Sequence, residues 1–177
     1  MALVKLYIAT SLDGFIARPD GNLDWLLALP NPNNIDHDYS KFMETIGATI
    51  MGSATYKEVI GFGIDWPYPD ITSYVISRNK DLPVSSPMTK LITEDVITFT
   101  ERLKGAVDKD IWLVGGGQLI TTFLNHDLID EMTLTLIPNI LGEGIPLFPN
   151  KHKESTWKLV DAIPYETGAV SVVYRKK

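Results

Sequence analysis

The chain has 177 residues, 45% apolar and 21% charged, which matches globular domains and excludes a disordered chain. Sixteen Lys and Arg against 22 Asp and Glu leave a net charge of −6, so there is no overall basic footprint for nucleic acid. The absence of cysteine excludes disulfides, iron–sulfur clusters and thiolate zinc sites. The longest strictly apolar run, Trp25–Leu29, is far short of the ~18 residues that span a bilayer.

The expectation is one domain over 1–177, soluble and cytoplasmic, with no nucleic-acid or membrane partner. Met1–Thr10 alternates like a strand and lacks the charged-then-apolar form of a signal peptide. Leu3–Ala9 reads as a buried strand, Leu12-Asp13-Gly14 as a turn, and Phe15-Ile16-Ala17 as a further extended segment. Arg18-Pro19-Asp20-Gly21-Asn22 is a second turn. Asp24 is placed to cap a short helix over Trp25–Leu29, which Pro30 closes. Tyr39, Phe42, Met43 and Ile46 recur at helical spacing and predict a helix from about Asp36 to Ile46.

A strand–turn–helix pattern then repeats. Ala48–Met51 is a strand, Gly52-Ser53 a turn and Ala54–Ile60 a helix. Ser73–Ser77 and Lys90–Ile92 are strands. Thr93 is the expected cap of a helix to about Lys104, with Glu94 and Asp95 in its first turn. Ile111–Val114 is a strand, Gly115-Gly116-Gly117 opens a helix to Leu124, and Met132–Ile137 is another strand. Trp157–Ile163 and Ala169–Tyr174 form a hairpin around Tyr165-Glu166-Thr167-Gly168. Strands alternating with helices predict an α/β fold: a central, mostly parallel mixed sheet flanked by helices, with an antiparallel hairpin at its C-terminal edge.

Three features fall at C-terminal ends of these strands, where open α/β sheets bind ligands. Gly115-Gly116-Gly117-Gln118 joins a strand to a helix, and its bare backbone fits either a tight turn or a phosphate cradle. Gly52-Ser53-Ala54-Thr55 is a second such junction, with two hydroxyls at the helix start. Ser77-Arg78 ends a third strand with a guanidinium suited to a phosphate. Together they fit a dinucleotide. No G-x-G-x-x-G fingerprint, P-loop or G-x-S-x-G nucleophile motif occurs. His37, His126 and His152 lie far apart in sequence, so no metal is expected.

The ordered set is more specific than any piece. It runs Ser11-Leu12-Asp13-Gly14-Phe15-Ile16-Ala17, Asp24-Trp25, Ile50-Met51-Gly52-x-x-Thr55, Val75-Ile76-Ser77-Arg78, Gly115-Gly116-Gly117 and Pro138-x-x-Leu141-Gly142-x-Gly144-x-Pro146-Leu147-Phe148. This resembles the dihydrofolate-reductase-like superfamily. Within it, the chain is most similar to the C-terminal reductase domain of bifunctional riboflavin-biosynthesis deaminase-reductases and to stand-alone relatives of that domain.

The resemblance implies NADPH as hydride donor. Gly52, Ser53, Ala54 and Thr55 would face the adenosine-side phosphates. Ser77 and Arg78 would face the ribose 2′-phosphate, and Gly115, Gly116, Gly117 and Gln118 the pyrophosphate. Ala9 and Ile16 would line the nicotinamide. Asp36, fifteen residues before Met51, falls close to where folate reductases keep a carboxylate; it or Asp38 would bind an amino-pyrimidine edge or relay a proton, with Phe42 covering the substrate plane. Stand-alone relatives also tend to pair, which implies a homodimer.

Two departures stand out. Ser53 replaces the arginine that many relatives carry after Met-Gly, and Ile60–Pro67 replaces an Asp-Asn-Pro segment usual in riboflavin-pathway reductases. Three readings follow: an NADPH-dependent reductase of a small heterocycle, like the 5-amino-6-(5-phosphoribosylamino)uracil reductase; dihydrofolate reduction; or an NADP-binding module without turnover.

Overall fold

The computed structural model describes residues 1–84, 86–149 and 151–177. The chain opens with β1 (Val4–Ser11), β2 (Phe15–Ala17), α1 (Asp24–Leu27) and α2 (Tyr39–Glu44). The repeating part follows: β3 (Ile46–Gly52), α3 (Ser53–Gly61), β4 (Thr72–Ile76), β5 (Thr89–Ile92), α4 (Val96–Ala106), β6 (Asp110–Gly115) and α5 (Gly117–Asn125). Then come β7 (Glu131–Ile137), β8 (Ile145–Pro146), β9 (Trp157–Pro164) and β10 (Val170–Lys176).

Eight strands form one sheet in the order β5-β4-β3-β6-β1-β7-β10-β9. Strands β5 through β7 run parallel, and β10 and β9 are added antiparallel at one edge, as the sequence predicts. Alternation along β1 shows why both faces need cover. Val4, Leu6 and Ile8 pack with Phe99 and Leu103 of α4 and Ile120 and Phe123 of α5. Tyr7 points the other way, into an aromatic cluster with Tyr39 and Phe42 of α2, Tyr56 of α3 and Trp112 of β6. Ala9 packs with Trp25 and Leu26 of α1. Among the described residues, no helix is long and apolar enough to cross a membrane.

Several boundaries depart from the sequence reading: α2 ends at Glu44, and Ile46, counted into its helical spacing, instead opens β3. Helix α2 starts at Tyr39 rather than Asp36 because His37 and Asp38 take left-handed angles (φ 54 and 62), which a right-handed helix cannot contain. The Asp36 carboxylate builds this turn, accepting from the Asp38 and Ser40 N–H groups at 3.1 Å each. Asp95, not Thr93, caps α4: its carboxylate accepts from the Thr98 N–H at 2.9 Å. Asp24 is the first residue of α1 rather than its cap, and its carboxylate engages Arg18 at 2.6 Å. Gly115 ends β6, and α5 begins two residues later. The short β8 was not foreseen; it pairs with β2 in a separate two-stranded sheet.

Candidate active site

A cleft of about 900 Å³ runs along the C-terminal ends of the parallel strands. That volume suits a cofactor-sized ligand. Its middle is built by β3 and β6, neighbours in the sheet, with Met51 beside Gly115. Each strand leads straight into a helix, and the residue before each helix is a glycine, Gly52 or Gly116. Neither helix start receives a side-chain cap, so the first N–H groups of α3 and α5 lack that partner.

The two glycines keep the space between these helix starts open. A Cβ on Gly52 would sit 3.9 Å from the Gly115 carbonyl oxygen and 4.0 Å from the Gly116 nitrogen. A Cβ on Gly116 would come within 3.3 Å of the Thr55 hydroxyl. Two helix N-termini thus converge on a gap that the two glycines leave open and the Thr55 hydroxyl edges, where their partial positive charges favour an anion. The Gly115–Gly116 peptide is cis.

Arg78 lines the cleft just past β4. Ser77 fixes the turn that presents it, its hydroxyl accepting from the Asn79 N–H at 3.0 Å. Among the described residues, no carboxylate pairs with Arg78. Thr93, Glu94 and Asp95 line the same end, past β5. Glu94 is held by Arg102 through two bonds of 2.6 and 3.1 Å, which lower its pKa; Asp95 is occupied in capping α4.

At the opposite end the lining is largely apolar: Ala9, Ile16, Leu23, Leu26, Val59 and Phe62. Ile16 is placed by a clasp between distant segments. The Asp13 carboxylate accepts from the Ser11 hydroxyl at 2.6 Å and from the N–H groups of Gly142 and Leu141 at 2.7 and 3.1 Å. The Ser11 bond and then those backbone N–H groups hold the Asp13 carboxyl below the usual carboxylate range. Leu147 N–H donates to Gly14 O at 2.9 Å, closing the β2–β8 pair. A side chain at Gly144 would collide with the Ala17 carbonyl, which explains glycine in the Leu-Gly-x-Gly segment.

The structure therefore brings Ala9, Ile16, Gly52, Ser53, Ala54, Thr55, Ser77, Arg78, Gly116, Gly117 and Gln118 to one cleft. Gly115 stands just behind Gly116 at the end of β6, in a glycine-favouring conformation (φ 121). Asp36, Asp38 and Phe42 lie outside the lining. Asp36 is exposed, and hydrogen bonds from Ser40 hold its carboxyl below the ordinary range, so near neutral pH it is a carboxylate that accepts hydrogen bonds and has no proton to donate. Asp38 accepts the Tyr165 hydroxyl at 2.7 Å; burial and then that carboxylate push the Tyr165 phenol up to about 12. Phe42 stacks on Tyr7 with ring centroids 4.4 Å apart.

Sequence reasoning missed Glu58, Val59 and Phe62 of α3, Leu23 and Leu26 beside the second turn, and Thr93-Glu94-Asp95. The last three follow β5 as Ser77-Arg78 follow β4, so the same strand-end rule would have found them. Glu58 and Val59 lie three and four residues beyond Thr55, hence on its face of the helix.

The sheet order, the glycine-capped helix starts and the cleft along the strand ends define an α/β protein of the dihydrofolate-reductase-like fold with a nucleotide-sized site. The chain belongs to the RibD C-terminal domain family, which matches residues 2–171. It is 40% identical over 154 residues to the uncharacterized protein YwjB of Bacillus subtilis, covering 87% of each chain. The solved structure of a putative riboflavin biosynthesis protein from Shewanella sp. PV-4 superposes with a TM-score of 0.86 at 33% identity, over 100% of this chain and 99% of that one. Two more distant structures share the fold. One is a Thermotoga maritima diaminohydroxyphosphoribosylaminopyrimidine deaminase/5-amino-6-(5-phosphoribosylamino)uracil reductase (TM-score 0.75, 16% identity, 99% of this chain and 57% of that one). The other is Enterococcus faecalis dihydrofolate reductase complexed with NADP(H) (TM-score 0.70, 20% identity, 99% and 96%).

Proposed function

We propose that the chain is an NADPH-dependent reductase of a small heterocycle. Family membership supports an oxidoreductase of the riboflavin-pathway reductase type. The observation that carries the cofactor reading is the pair of glycine-capped, side-chain-uncapped helix starts facing each other at Gly52 and Gly116, with Arg78, which no carboxylate pairs among the described residues, past the neighbouring strand.

These residues fit a dinucleotide. The first N–H groups of α3 and α5 would hold the pyrophosphate, where a side chain would intrude. Arg78 and the Ser77 turn would take a 2′-phosphate through the planar guanidinium. Ala9 and Ile16 would flank the nicotinamide, and the Asp13 clasp would fix that wall at the right depth. When bound, the cofactor supplies a hydride for an electrophilic C=N or C=O carbon, while a proton completes the reduction at the neighbouring heteroatom. The protein's part is to align the two rings and keep water from the apolar end, through Leu23, Leu26, Val59 and Phe62.

Dihydrofolate reduction loses its support, because Asp36 stands outside the cleft. The experiment is a titration with NADPH and NADH followed by an NADPH-oxidation screen over aminopyrimidines, dihydrofolate and pterins. The proposal expects saturable NADPH binding and turnover with an aminopyrimidine or pterin. A folded protein that binds neither nucleotide would overturn the cofactor reading, and binding without any turnover would leave an NADP-binding module.

A further inference from the structure

We infer that the substrate end of the cleft takes an unphosphorylated amino-heterocycle, its donor edge read by the Glu58 carboxylate, and disfavours a phosphoribosyl-bearing one. The inference rests on the cofactor reading above, which assigns the opposite end to the adenosine.

The distribution of charge carries it. Of the residues lining the cleft, one is a cation, Arg78, and three are acids: Glu58, Glu94 and Asp95. Arg78 follows β4, whereas the substrate end lies beyond β1, three strands away in the order β4-β3-β6-β1. The two helix N-termini that attract anions are at β3 and β6, between these ends, and on the cofactor reading the pyrophosphate would occupy them. A phosphate at the substrate end would find no cationic side chain in the lining. Arg18, in the neighbouring turn, does not line the cleft and is already engaged by Asp24 at 2.6 Å.

What a ligand does meet there is a carboxylate in an apolar frame. Glu58 projects from the same face of α3 as Thr55. Its carboxylate lies against the Arg18–Asn22 turn, 3.4 Å from the point where a Gly21 Cβ would stand. Gly21 has φ +88, so a glycine lets this turn come close. Among the described residues, Glu58 accepts no hydrogen bond and pairs with no cation, so both oxygens are available. Glu58 is itself exposed, Leu23, Leu26, Val59 and Phe62 line the same cleft, and Phe62 is 54% exposed, a large apolar ring left open to solvent. A flat ring packed on this frame, with amino groups toward the acid, satisfies both; a phosphate dianion facing the same carboxylate is repelled.

The test uses a matched pair, 5-amino-6-(ribosylamino)uracil and its 5′-phosphate, measured calorimetrically on the protein with and without NADPH. The expected result is tighter binding of the unphosphorylated compound by about tenfold or more, the scale of a hydrogen bond to a charged group. Glu58→Gln should cut that affinity by about tenfold and narrow the discrimination, and Glu58→Lys should reverse it. Tighter binding of the phosphate by the native protein, or an unaltered preference in folded Glu58→Gln, would overturn the inference. Binding of neither compound would overturn the amino-heterocycle assignment. Failure of NADPH itself to bind would instead overturn the cofactor reading, while the pair measured without NADPH still reports the charge preference.

Discussion

A valine at position 116 separates a ligand cradle from a mere tight turn. The backbone there has φ −82 and ψ −166, extended geometry open to any residue, so the substitution costs no left-handed strain. Its Cβ would sit 3.3 Å from the Thr55 hydroxyl, and its two methyls would extend into the gap between the starts of α3 and α5. A pyrophosphate displaced from one backbone N–H forfeits a charge-assisted bond of about 1.5–3 kcal/mol, or roughly 10- to 150-fold in affinity. NADPH fluorescence titration of Gly116→Val should show that loss, with the melting temperature close to native. Gly117→Ala is the contrasting case. Its Cβ would meet the Pro149 ring at 2.8 Å and the Pro146 carbonyl at 3.0 Å, so it should cost stability, about 1–3 kcal/mol, by overpacking. Unchanged NADPH affinity in folded Gly116→Val would refute the pyrophosphate placement.

Arg78→Ala should weaken NADPH by about tenfold or more and NADH far less, since only NADPH carries the 2′-phosphate; equal losses would assign the side chain to solvent. Asp36→Asn should leave NADPH binding and turnover within about threefold, because the carboxylate serves the turn before α2; a hundredfold loss of turnover, the usual scale of general acid catalysis, would return it to the chemistry. Lys153 and then Lys176 lower the Asp127 pKa from 3.8 to about 2, so the stability this group contributes is present above pH 3.8 and disappears as pH falls through 2. Thermal melts of Asp127→Asn should therefore show a shallower acid limb than the native protein in that window. A homodimer joined through β9 is expected, since this edge strand leaves Leu159 and Val160 51% and 45% exposed; a monomer mass by light scattering at micromolar concentration would dismiss it.

The parallel sheet was legible because its strands are short apolar runs, each closed by glycine or a polar turn, and the anion cradle because glycines stood where strands meet helices. The start of α2 was not. Tyr39, Phe42 and Met43 carry the helical period correctly, but nothing in Asp36-His37-Asp38 announces two left-handed residues in succession. Strand β8 is two residues long, too short for any periodicity, and exists because Asp13 and Gly144 dock its loop onto β2. Glu58 reads as an ordinary solvated acid on a helix. Only the fold, by laying the Gly21 turn beside it, turns that carboxylate into part of a cleft wall. Asp36 misled in the opposite sense: its sequence distance from Met51 is suggestive, yet its hydrogen bonds are local.

The central place of β1 has a consequence for how the protein is made. Its two neighbours in the sheet, β6 and β7, begin at Asp110 and Glu131, so β1 is synthesised well before either of the strands that enclose it. Through most of synthesis it presents two bare edges and two apolar faces, the combination that invites pairing with another nascent chain. Closing the sheet around it requires contacts across more than half the sequence, and such long-range pairing slows folding. The wall formed by Asp13, Gly142 and Gly144 closes later still, so the cleft is competent only once nearly the whole chain is present.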